Sequence, residues 1–386
     1  MIEHNTQEWT QTVVPCRFVG HAGALAVVLR AFEGGGAERD VILLSNALVA
    51  KGMPVTIFVL HNRGPLRSLL DPAVEVMEIA GGRMRYAITG LRRLIRAAAP
   101  RYVLSSESSF NLLSLAAIRS LPQAERPKVL MREVCSPTPA QNNDPYWQNR
   151  LSYRILRRCF RFADRIITLT EGARRDLVEN FDVPSNQVSA MWSNAVLTPE
   201  FSNRIARWDG EDGRDPNLIV SVGRLSIEKN HRLLIDALAI LGTNRPWHLA
   251  LVGDGAERDA LEDYVRAKGL TNRTTFVGYA NDPFEWMMRA QVAVCSSHYE
   301  GLCNAIIEAL GCGTPVVSTD CPYGPREILQ NGRYGTLVPV GDAPALAVAI
   351  GDALDGPVDR ENLMARGFNY TADRAAESFL EIVGDL

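Results

Sequence analysis

The stretch from Val292 to Ile328 reads VAVCSSHYEGLCNAIIEALGCGTPVVSTDCPYGPREI. It begins with a short apolar run that is typical of a buried strand, and a polar loop follows that run. Asn304 is then a candidate helix N-cap, and glycines stand at the end of the apolar segment that it starts. A second apolar run, Pro315 to Thr319, predicts another buried strand. The stretch therefore predicts a strand, loop, helix and strand in succession, which is half of a parallel α/β layer.

Two carboxylates stand at the mouth of this unit. Glu300 lies in the loop at the carboxyl end of the predicted strand, and open α/β sheets bind their ligands at that edge. Glu308 lies in the predicted helix. The loop from Gly301 to Cys303 leads backbone N–H groups into a helix N-terminus, which suits an anion such as a diphosphate. A carboxylate beside that anion needs hydroxyl groups to accept from, so the pattern points to a nucleotide-sugar.

The same run resembles the signature of the family 4 retaining glycosyltransferases, which have the GT-B fold. The matching residues are Glu300-Gly301, Glu308-Ala309 and Gly313-Thr314-Pro315-Val316-Val317. The resemblance implies that Glu300 contacts the donor sugar and that Glu308 holds the ribose. The run from Asp320 to Glu327 resembles a subgroup that builds bacterial surface glycans from UDP-linked hexoses and N-acetylhexosamines. Cys303 departs from the family pattern, because many members have Pro at that place.

A second site element is the run from Gly223 to His231. Arg224 follows a predicted strand, Leu218 to Val222, and Lys229 stands just before a predicted helix. A departing nucleoside diphosphate develops negative charge, and an enzyme without a metal must supply fixed cations to receive it. In the resembled family an Arg and a Lys at this spacing have that role, which implies catalytic roles for Arg224, Lys229 and Glu300. The sequence contains no Asp-X-Asp motif, so neither a metal nor another cofactor is expected.

Further glycines follow other predicted strands. Glu33 to Arg39 contains three successive glycines, which allow a close approach of the backbone to a ligand, although a tight turn alone would also explain them. The loop after Leu249 to Val252 is similar to a dinucleotide fingerprint, but Arg258 replaces the third glycine and disfavours NAD. The resemblance places these loops beside the donor. The predicted donor-binding residues are Gly35, Gly36, Gly223, Gly253, Gly278, Tyr279, Gly301, Leu302, Cys303, Asn304 and Glu308.

The rest of the chain indicates two α/β domains. Its 386 residues, 46% hydrophobic and 22% charged, are enough for two packed cores. Strand and helix patterns alternate on both sides of a polar stretch from Trp192 to Asp215, which predicts an interdomain connection. We therefore expect an α/β protein of the GT-B class, with two Rossmann-like domains whose parallel sheets face each other across a cleft. The expected units are an acceptor-binding domain (1–197), a nucleotide-sugar domain (198–360) and a helix returning to the first domain (361–386).

Charge is distributed unevenly between the two halves of the chain. Residues 1–200 contain 24 Lys and Arg against 18 Asp and Glu, whereas residues 201–386 contain 17 against 26. Much of the positive charge lies in two predicted helices, near residues 83–96 and 149–163. Solvated surface helices explain such a pattern as readily as contact with anionic lipid. The resembled enzymes glycosylate lipid-linked acceptors, so a peripheral membrane contact through these basic helices is a partner to test; no nucleic-acid partner is expected.

The seven cysteines form no CxxC pair and no metal-ligand spacing, so neither disulfides nor a zinc site is indicated. The first residues are polar and acidic, unlike a signal peptide, and the chain has no run of 18 apolar residues. We expect a loose leader over residues 1–20. We also expect a cytoplasmic protein that can contact the inner face of the cytoplasmic membrane.

Polar residues after the strands of the first domain are candidates for acceptor contact. Glu107, Arg132 and Glu133 follow two predicted strands, whose carboxyl ends should line the cleft. Hydrogen bonds within the loops are an equally good explanation of these side chains. The acceptor-side His that is common in the resembled family is not evident, since Arg132-Glu133 takes its place.

The predicted function is transfer of a hexose or N-acetylhexosamine from a UDP-sugar to a hydroxyl of a glycan or lipid-linked acceptor, with retention at the anomeric carbon. One rival is a non-catalytic nucleotide-sugar-binding subunit of a glycan assembly complex. A GT-B epimerase or phosphorylase is the other. The sequence does not identify the sugar, the acceptor or the linkage.

Overall fold

The computed structural model describes residues 25–33, 35–80, 84–143, 147–208, 213–280 and 282–386. The predicted leader, Gly34, Arg83 and the side chain of Arg85 lie outside this description. Within it the chain forms two parallel sheets, each with helices between its strands, which confirms the predicted α/β class with two Rossmann-like domains.

The first domain contains the following elements in chain order. They are β1 (Leu25–Leu29), α1 (Gly36–Ala50), β2 (Val55–Val59), β3 (Glu75–Glu78), α2 (Met84–Ala98), β4 (Tyr102–Ser106), α3 (Ser108–Arg119), β5 (Lys128–Glu133), α4 (Pro137–Asn143), α5 (Trp147–Cys159), β6 (Arg165–Thr168), α6 (Glu171–Asn180) and β7 (Val188–Ala190). Its sheet has the order β3-β2-β1-β4-β5-β6-β7, and every pair is parallel.

The second domain and the end of the chain contain the remaining elements. They are α7 (Pro199–Arg207), β8 (Asp215–Val222), α8 (His231–Leu241), β9 (His248–Val252), α9 (Arg258–Ala267), β10 (Thr274–Gly278), α10 (Phe284–Arg289), β11 (Ala290–Cys295), α11 (Asn304–Gly311), β12 (Val316–Thr319), α12 (Gly324–Ile328), β13 (Thr336–Val338), α13 (Ala343–Asp355), α14 (Arg360–Gly367) and α15 (Ala372–Gly384). The parallel sheet has the order β10-β9-β8-β11-β12-β13.

The central strands are apolar because helices cover both faces of each sheet. In β1, Leu25 and Val27 belong to the apolar cluster on one face, while Ala26 and Val28 belong to the cluster on the other. Such two-sided burial is why parallel strands appear in the sequence as continuous apolar runs. No helix of the described residues is both long enough and apolar enough to span a bilayer.

The chain crosses between the domains at two places that lie side by side. Leu197 and Thr371 pair as in a parallel sheet. The Leu197 N–H donates to the carbonyl of Tyr370 over 3.0 Å, and the Ala372 N–H donates to the carbonyl of Leu197 over 3.0 Å. Beyond the second crossing α15 packs against α1, and Phe379 is fully buried there. Burial of one such side chain stabilises the fold by about 1.5–3 kcal/mol.

The segment predicted as an interdomain connection is more structured than its composition indicated. It contains α7, whose start is capped by the Thr198 hydroxyl accepting from the Phe201 N–H over 3.2 Å. Phe201 and Ile205 on this helix are buried in the second domain. The helices α4, α6, α9 and α12 also went unpredicted.

The start of α11 differs from the prediction in a way that matters for the site. Cys303, not Asn304, is the residue that precedes the helix, and its φ of 71° and ψ of 72° are left-handed. Asn304 is the first helical residue, and its side-chain amide donates to the Gly36 carbonyl in the first domain over 3.4 Å. The loop before α11 therefore takes a backbone conformation that few residues other than glycine adopt.

Candidate active site

The candidate site lies in the cleft between the domains, at the carboxyl ends of β8 and β11. A short 3-10 helix, Ile227–Lys229, carries Lys229 to this edge, and the loop after β11 carries Glu300. The start of α1 and its glycine loop approach from the first domain, where Gly36 meets Asn304. Strand ends of the second sheet and the start of α1 thus face one cleft, at the edge where open α/β sheets bind their ligands.

Lys229 and Glu300 form an ion pair within the cleft. Lys229 Nζ lies 2.6 Å from Glu300 Oε1, and the Ser297 hydroxyl donates to the same oxygen over 2.6 Å. The Lys229 side chain is 23% exposed to solvent. Burial alone would lower the pKa of Lys229, but the charge of Glu300 outweighs it and the pKa is raised. Lys229 is therefore a permanent cation at the cleft, held in place by an acid.

Glu308 forms an ion pair that crosses the cleft. Arg39, in the first turn of α1, donates to Glu308 Oε1 over 2.9 Å, and the same guanidinium donates to the Val196 carbonyl over 3.2 Å. Burial raises the pKa of Glu308, while Arg39 and then Lys229 act against that rise. One carboxylate oxygen of Glu308 thus has a charged partner from the other domain. The sequence interpretation did not include Arg39.

Predicted main-chain contacts cluster at three adjacent strand ends. Gly223, Gly253 and Gly278 follow or end β8, β9 and β10, and the Gly253 N–H donates to the Gly278 carbonyl over 2.8 Å. A Cβ on Gly253, where φ is 140°, would lie 1.9 Å from the Gly223 carbonyl oxygen, so only glycine fits. Arg224 and Tyr279 stand beside this cluster and are exposed.

The loop that carries Glu300 also packs tightly against the first domain. A Cβ on Gly301 would lie 1.9 Å from the Val134 carbonyl oxygen. The Ser136 hydroxyl donates to the Glu300 carbonyl over 2.6 Å. Leu302 beside them is buried. The predicted donor loop is consequently positioned by the segment after β5 as well as by its own domain.

Glu107 and Glu38 are acidic residues on the first-domain side of the cleft. Glu107 is partly exposed, and its carboxylate lies 3.6 Å from Arg30. Burial raises the pKa of Glu38, Glu107 adds to that rise, and Arg224 opposes it. Gly35 packs against Glu38, since a Cβ there would touch its carboxylate. Glu38 was not predicted; its position, two residues after Gly36, was the only available signal.

Arg132 and Glu133 do not line the cleft, which corrects the expectation of acceptor contact for this pair. Both are at the end of β5 but turn into the domain, with exposures of 1% and 2%. Arg132 pairs with Asp40 of α1, and Asp40 also accepts from the Ala195 N–H over 2.7 Å. Glu133 accepts from the Tyr153 hydroxyl over 2.5 Å, and burial raises its pKa to about 7. Partners on α1 and α5 thus hold the two side chains inside the domain.

One group of described residues has the spacing of a metal site. Cys295, Glu300 and Cys303 offer ligand atoms that lie within 4.8 Å of one another. Two thiols favour soft ions over Mg²⁺ or Mn²⁺, which prefer oxygen ligands. Glu300 already binds Lys229 and Ser297. This group is thus unsuited to holding a diphosphate-bound Mg²⁺.

Two Rossmann-like domains whose strand ends face one cleft are the architecture of the GT-B class. Family comparison agrees with this class. Residues 34–196 match the model of Glycosyltransferase Family 4, and residues 203–370 match that of Glycosyl transferases group 1. The chain belongs to the family 4 glycosyltransferases and has the GT-B fold.

Curated relatives are enzymes of glycan synthesis. The lipopolysaccharide core biosynthesis glycosyltransferase LpsE of Rhizobium meliloti is 27% identical over 358 residues, covering 91% of this chain and 96% of LpsE. A second relative, the N-acetylgalactosamine-N,N'-diacetylbacillosaminyl-diphospho-undecaprenol 4-alpha-N-acetylgalactosaminyltransferase of Campylobacter jejuni, is 28% identical over 217 residues. That match covers 56% of each protein, so this chain spans little more than half of the second relative.

Solved structures share the fold. Anabaena HepE in complex with UDP and glucose superposes with a TM-score of 0.73 at 18% identity, covering 94% of this chain and all of HepE. Sucrose-phosphate synthase of Thermosynechococcus elongatus gives a TM-score of 0.76 at 19% identity, covering 94% and 98%. At these identities the likeness establishes the fold alone.

Proposed function

We propose that this protein transfers a hexose or an N-acetylhexosamine from a UDP-sugar to a hydroxyl of a glycan or lipid-linked acceptor, with retention at the anomeric carbon and without a metal. The observation that carries the proposal is the Lys229–Glu300 ion pair before α11, together with Glu308 on α11, whose pKa Lys229 helps to lower. Relatives add support. LpsE, matched over 96% of its length, acts in lipopolysaccharide core biosynthesis, and HepE holds UDP and glucose in its crystal structure.

Each part of the cluster suits one part of a UDP-sugar. The N–H groups at the start of α11, with Lys229 and Arg224, suit the diphosphate. Glu308 suits the ribose hydroxyls, because its second carboxylate oxygen is not the one bound by Arg39. Glu300 suits the sugar hydroxyls, and the main chain at Gly278 suits the base.

The reaction we propose is a displacement on one face of the sugar. The acceptor oxygen attacks the anomeric carbon on the side from which UDP departs. The bond from that carbon to the phosphate oxygen breaks, the bond to the acceptor oxygen forms, and the acceptor proton passes to the departing phosphate. Lys229 and Arg224 stabilise the charge that develops there, so neither a metal ion nor a separate base is required.

The test is a transfer assay with the purified chain. UDP-glucose, UDP-galactose, UDP-N-acetylglucosamine, UDP-N-acetylgalactosamine and GDP-mannose are each supplied with lipid-linked sugars or soluble glycans, with and without a chelator. We expect a single preferred UDP-sugar, a glycoside of unchanged anomeric configuration by NMR, and full activity in chelator. Consumption of GDP-mannose alone would overturn the donor assignment, and an inverted product would overturn the stereochemical one.

The same assay separates the rival functions. An epimerase would convert the donor without an acceptor, and a phosphorylase would depend on inorganic phosphate. A non-catalytic subunit would bind UDP-sugar without turnover with any acceptor, and Lys229→Ala would leave its assembly complex working.

For the membrane partner, we propose that α5 rests on an anionic lipid surface. Trp147, Leu151 and Ile155 recur every four residues and are 60%, 45% and 44% exposed. A parallel row of arginines lies beside them, at 150, 154 and 158. An exposed apolar row next to a cationic row is the pattern of an interfacial helix. The exposed row is not the core-facing side of α5, because other apolar residues of this helix, such as Leu156, are buried in the core of the first domain.

Vesicle flotation tests this contact. The chain should float with vesicles that contain phosphatidylglycerol and stay behind with phosphatidylcholine alone. The double variant Leu151→Ser and Ile155→Ser should lose the binding. A matched control, Ile240→Ser with Val348→Ser, removes apolar groups that are also exposed, at 56% and 65%, and should retain it. Equal losses in both variants, or no flotation of the wild type, would contradict the proposal.

A further inference from the structure

Two cysteines face each other across the donor loop. Cys295 ends β11 and Cys303 precedes α11, and their sulfur atoms lie 3.4 Å apart. The seven residues between them include Glu300. Their spacing in the sequence is not that of a redox motif, so only the fold reveals the pair.

The left-handed backbone at Cys303 is part of this arrangement. Its φ of 71° is closed to proline, whose ring fixes φ near −65°. The proline that many resembled enzymes have at this place therefore cannot replace Cys303 without rebuilding the turn. In this chain the turn delivers a thiol to the end of β11 instead.

The surroundings make the two thiols unequal. Hydrogen bonding with Cys303 lowers the pKa of Cys295 to about 7; burial and the charge of Glu300 oppose this, and Lys229 and Ser297 assist it. The pKa of Cys303 is raised, by its bond to Cys295 and then by burial. Cys295 Sγ also lies 3.4 Å from the Ser297 hydroxyl. A thiolate beside a thiol is the arrangement that reacts with oxidants and then resolves to a disulfide.

We propose that Cys295 and Cys303 are an oxidation site, at which a hydroperoxide forms a disulfide across the Glu300 loop. The Cys295 thiolate attacks one peroxide oxygen, the O–O bond breaks, and water or an alcohol leaves. Cys303 then attacks the resulting sulfenic sulfur, the S–O bond breaks, and hydroxide leaves as water with the Cys303 proton. Two thiols are oxidised and one peroxide is reduced.

The disulfide should switch off the donor site. An S–S bond of about 2.05 Å requires the two sulfur atoms to approach by more than 1 Å from their present separation. Since a displacement of about 1 Å in a site can cost about 10²-fold in rate, we expect at least a 10-fold loss of turnover on oxidation, reversible by a thiol reductant. This last effect rests on the proposed function.

Mass spectrometry tests the bond without any assay of transfer. The reduced protein is treated with hydrogen peroxide, blocked with an alkylating agent and cleaved after glutamate. Cleavage after Glu300 and Glu308 puts Cys295 and Cys303 on separate fragments, away from Cys312 and Cys321. We expect these two fragments to be linked and to separate with dithiothreitol. Exposed Cys135 reports that the peroxide dose was effective.

Variants complete the test, each compared with its own reduced state. Cys303→Ala should form no link and should leave Cys295 at the sulfenic stage, whereas Cys321→Ala, which removes a buried neighbouring thiol, should still form the link and recover with dithiothreitol. A link from Cys295 to Cys321, or no link at a dose that oxidises Cys135, would overturn the proposal. A linked pair in a protein that transfers no sugar would refute the proposed function and leave the oxidation site standing.

Discussion

Charged residues follow strands in both domains, but the two domains place them differently. After β8 and β11, Lys229 and Glu300 form an ion pair at the cleft, 2.6 Å apart, with side chains that are 23% and 10% exposed. After β5, Arg132 and Glu133 turn inward and are almost fully buried. The loop after β5 packs on the second domain, where the Ser136 hydroxyl donates to the Glu300 carbonyl, while Asp40 of α1 and Tyr153 of α5 hold the two side chains inside the first domain. A charged residue at a strand end marks a site only where its partners lie at the cleft.

The strongest test of this contrast is to remove Arg132. Arg132→Met leaves Asp40 buried with no charged partner, and breaking a buried ion pair from one side costs about 3–5 kcal/mol. We expect the free energy of unfolding, measured in urea, to fall by that amount. Adding Asp40→Asn should restore part of it. Arg157→Met breaks an exposed pair with Asp182 and should change stability by less than about 1 kcal/mol.

If Arg132→Met left stability unchanged but weakened acceptor binding, the inward assignment would be wrong. Arg132 would then reach the cleft in solution, and the contrast between the domains would disappear.

Replacing Lys229 tests the charged residues that lie at the cleft. Lys229→Met removes the cation that we propose stabilises the departing diphosphate, so kcat should fall by about 10²–10³-fold. Lys268→Met is a matched control, because it removes a lysine from an exposed pair with Asp236 in the same domain. A loss of less than 10-fold in Lys229→Met, equal to that in the control, would place leaving-group stabilisation elsewhere.

Glu133 provides a test by pH. Burial raises the pKa of Glu133 from 4.5 to about 7 in the folded protein. Between these two pH values the folded state therefore holds a proton on Glu133 that the unfolded state has lost. Stability linked to this proton is present at low pH and is lost as pH rises through about 7, on the order of 3 kcal/mol in total. Relative to Glu133→Gln, wild type should lose stability from pH 5 to pH 8. Parallel curves for the two proteins would show that Glu133 is not buried as described.

The sequence could predict that Glu300 and Glu308 belong to one site, because a single continuous segment of strand, loop and helix carries both. The sequence could not predict the partners of these two carboxylates. Arg39 is 269 residues from Glu308, and no pattern near either residue links them. The fold class was predictable from alternating apolar runs, but the inward turn of Arg132 depends on Asp40, 92 residues away, and on the segment near Ala195. The left-handed turn at Cys303 had no signal, since glycine or asparagine is usual there.

A smaller effect is expected from Arg39, which joins the two regions. The charge of Arg39 limits the rise that burial causes in the pKa of Glu308. A ribose hydroxyl donates best to the carboxylate form of Glu308. Arg39→Ala should therefore raise the pKa of Glu308 and shift the loss of UDP affinity on acidification to higher pH. Calorimetric titrations with UDP across pH would detect this. If UDP affinity fell over the same acidic pH range in wild type and in Arg39→Ala, Glu308 would not bind the ribose.

The most direct measurement is a crystal structure of the protein with UDP. We expect the diphosphate beside Lys229 Nζ and the first N–H groups of α11, and the ribose hydroxyls on Glu308, with the base near Gly278. UDP bound away from Lys229 and Glu308 would contradict the account.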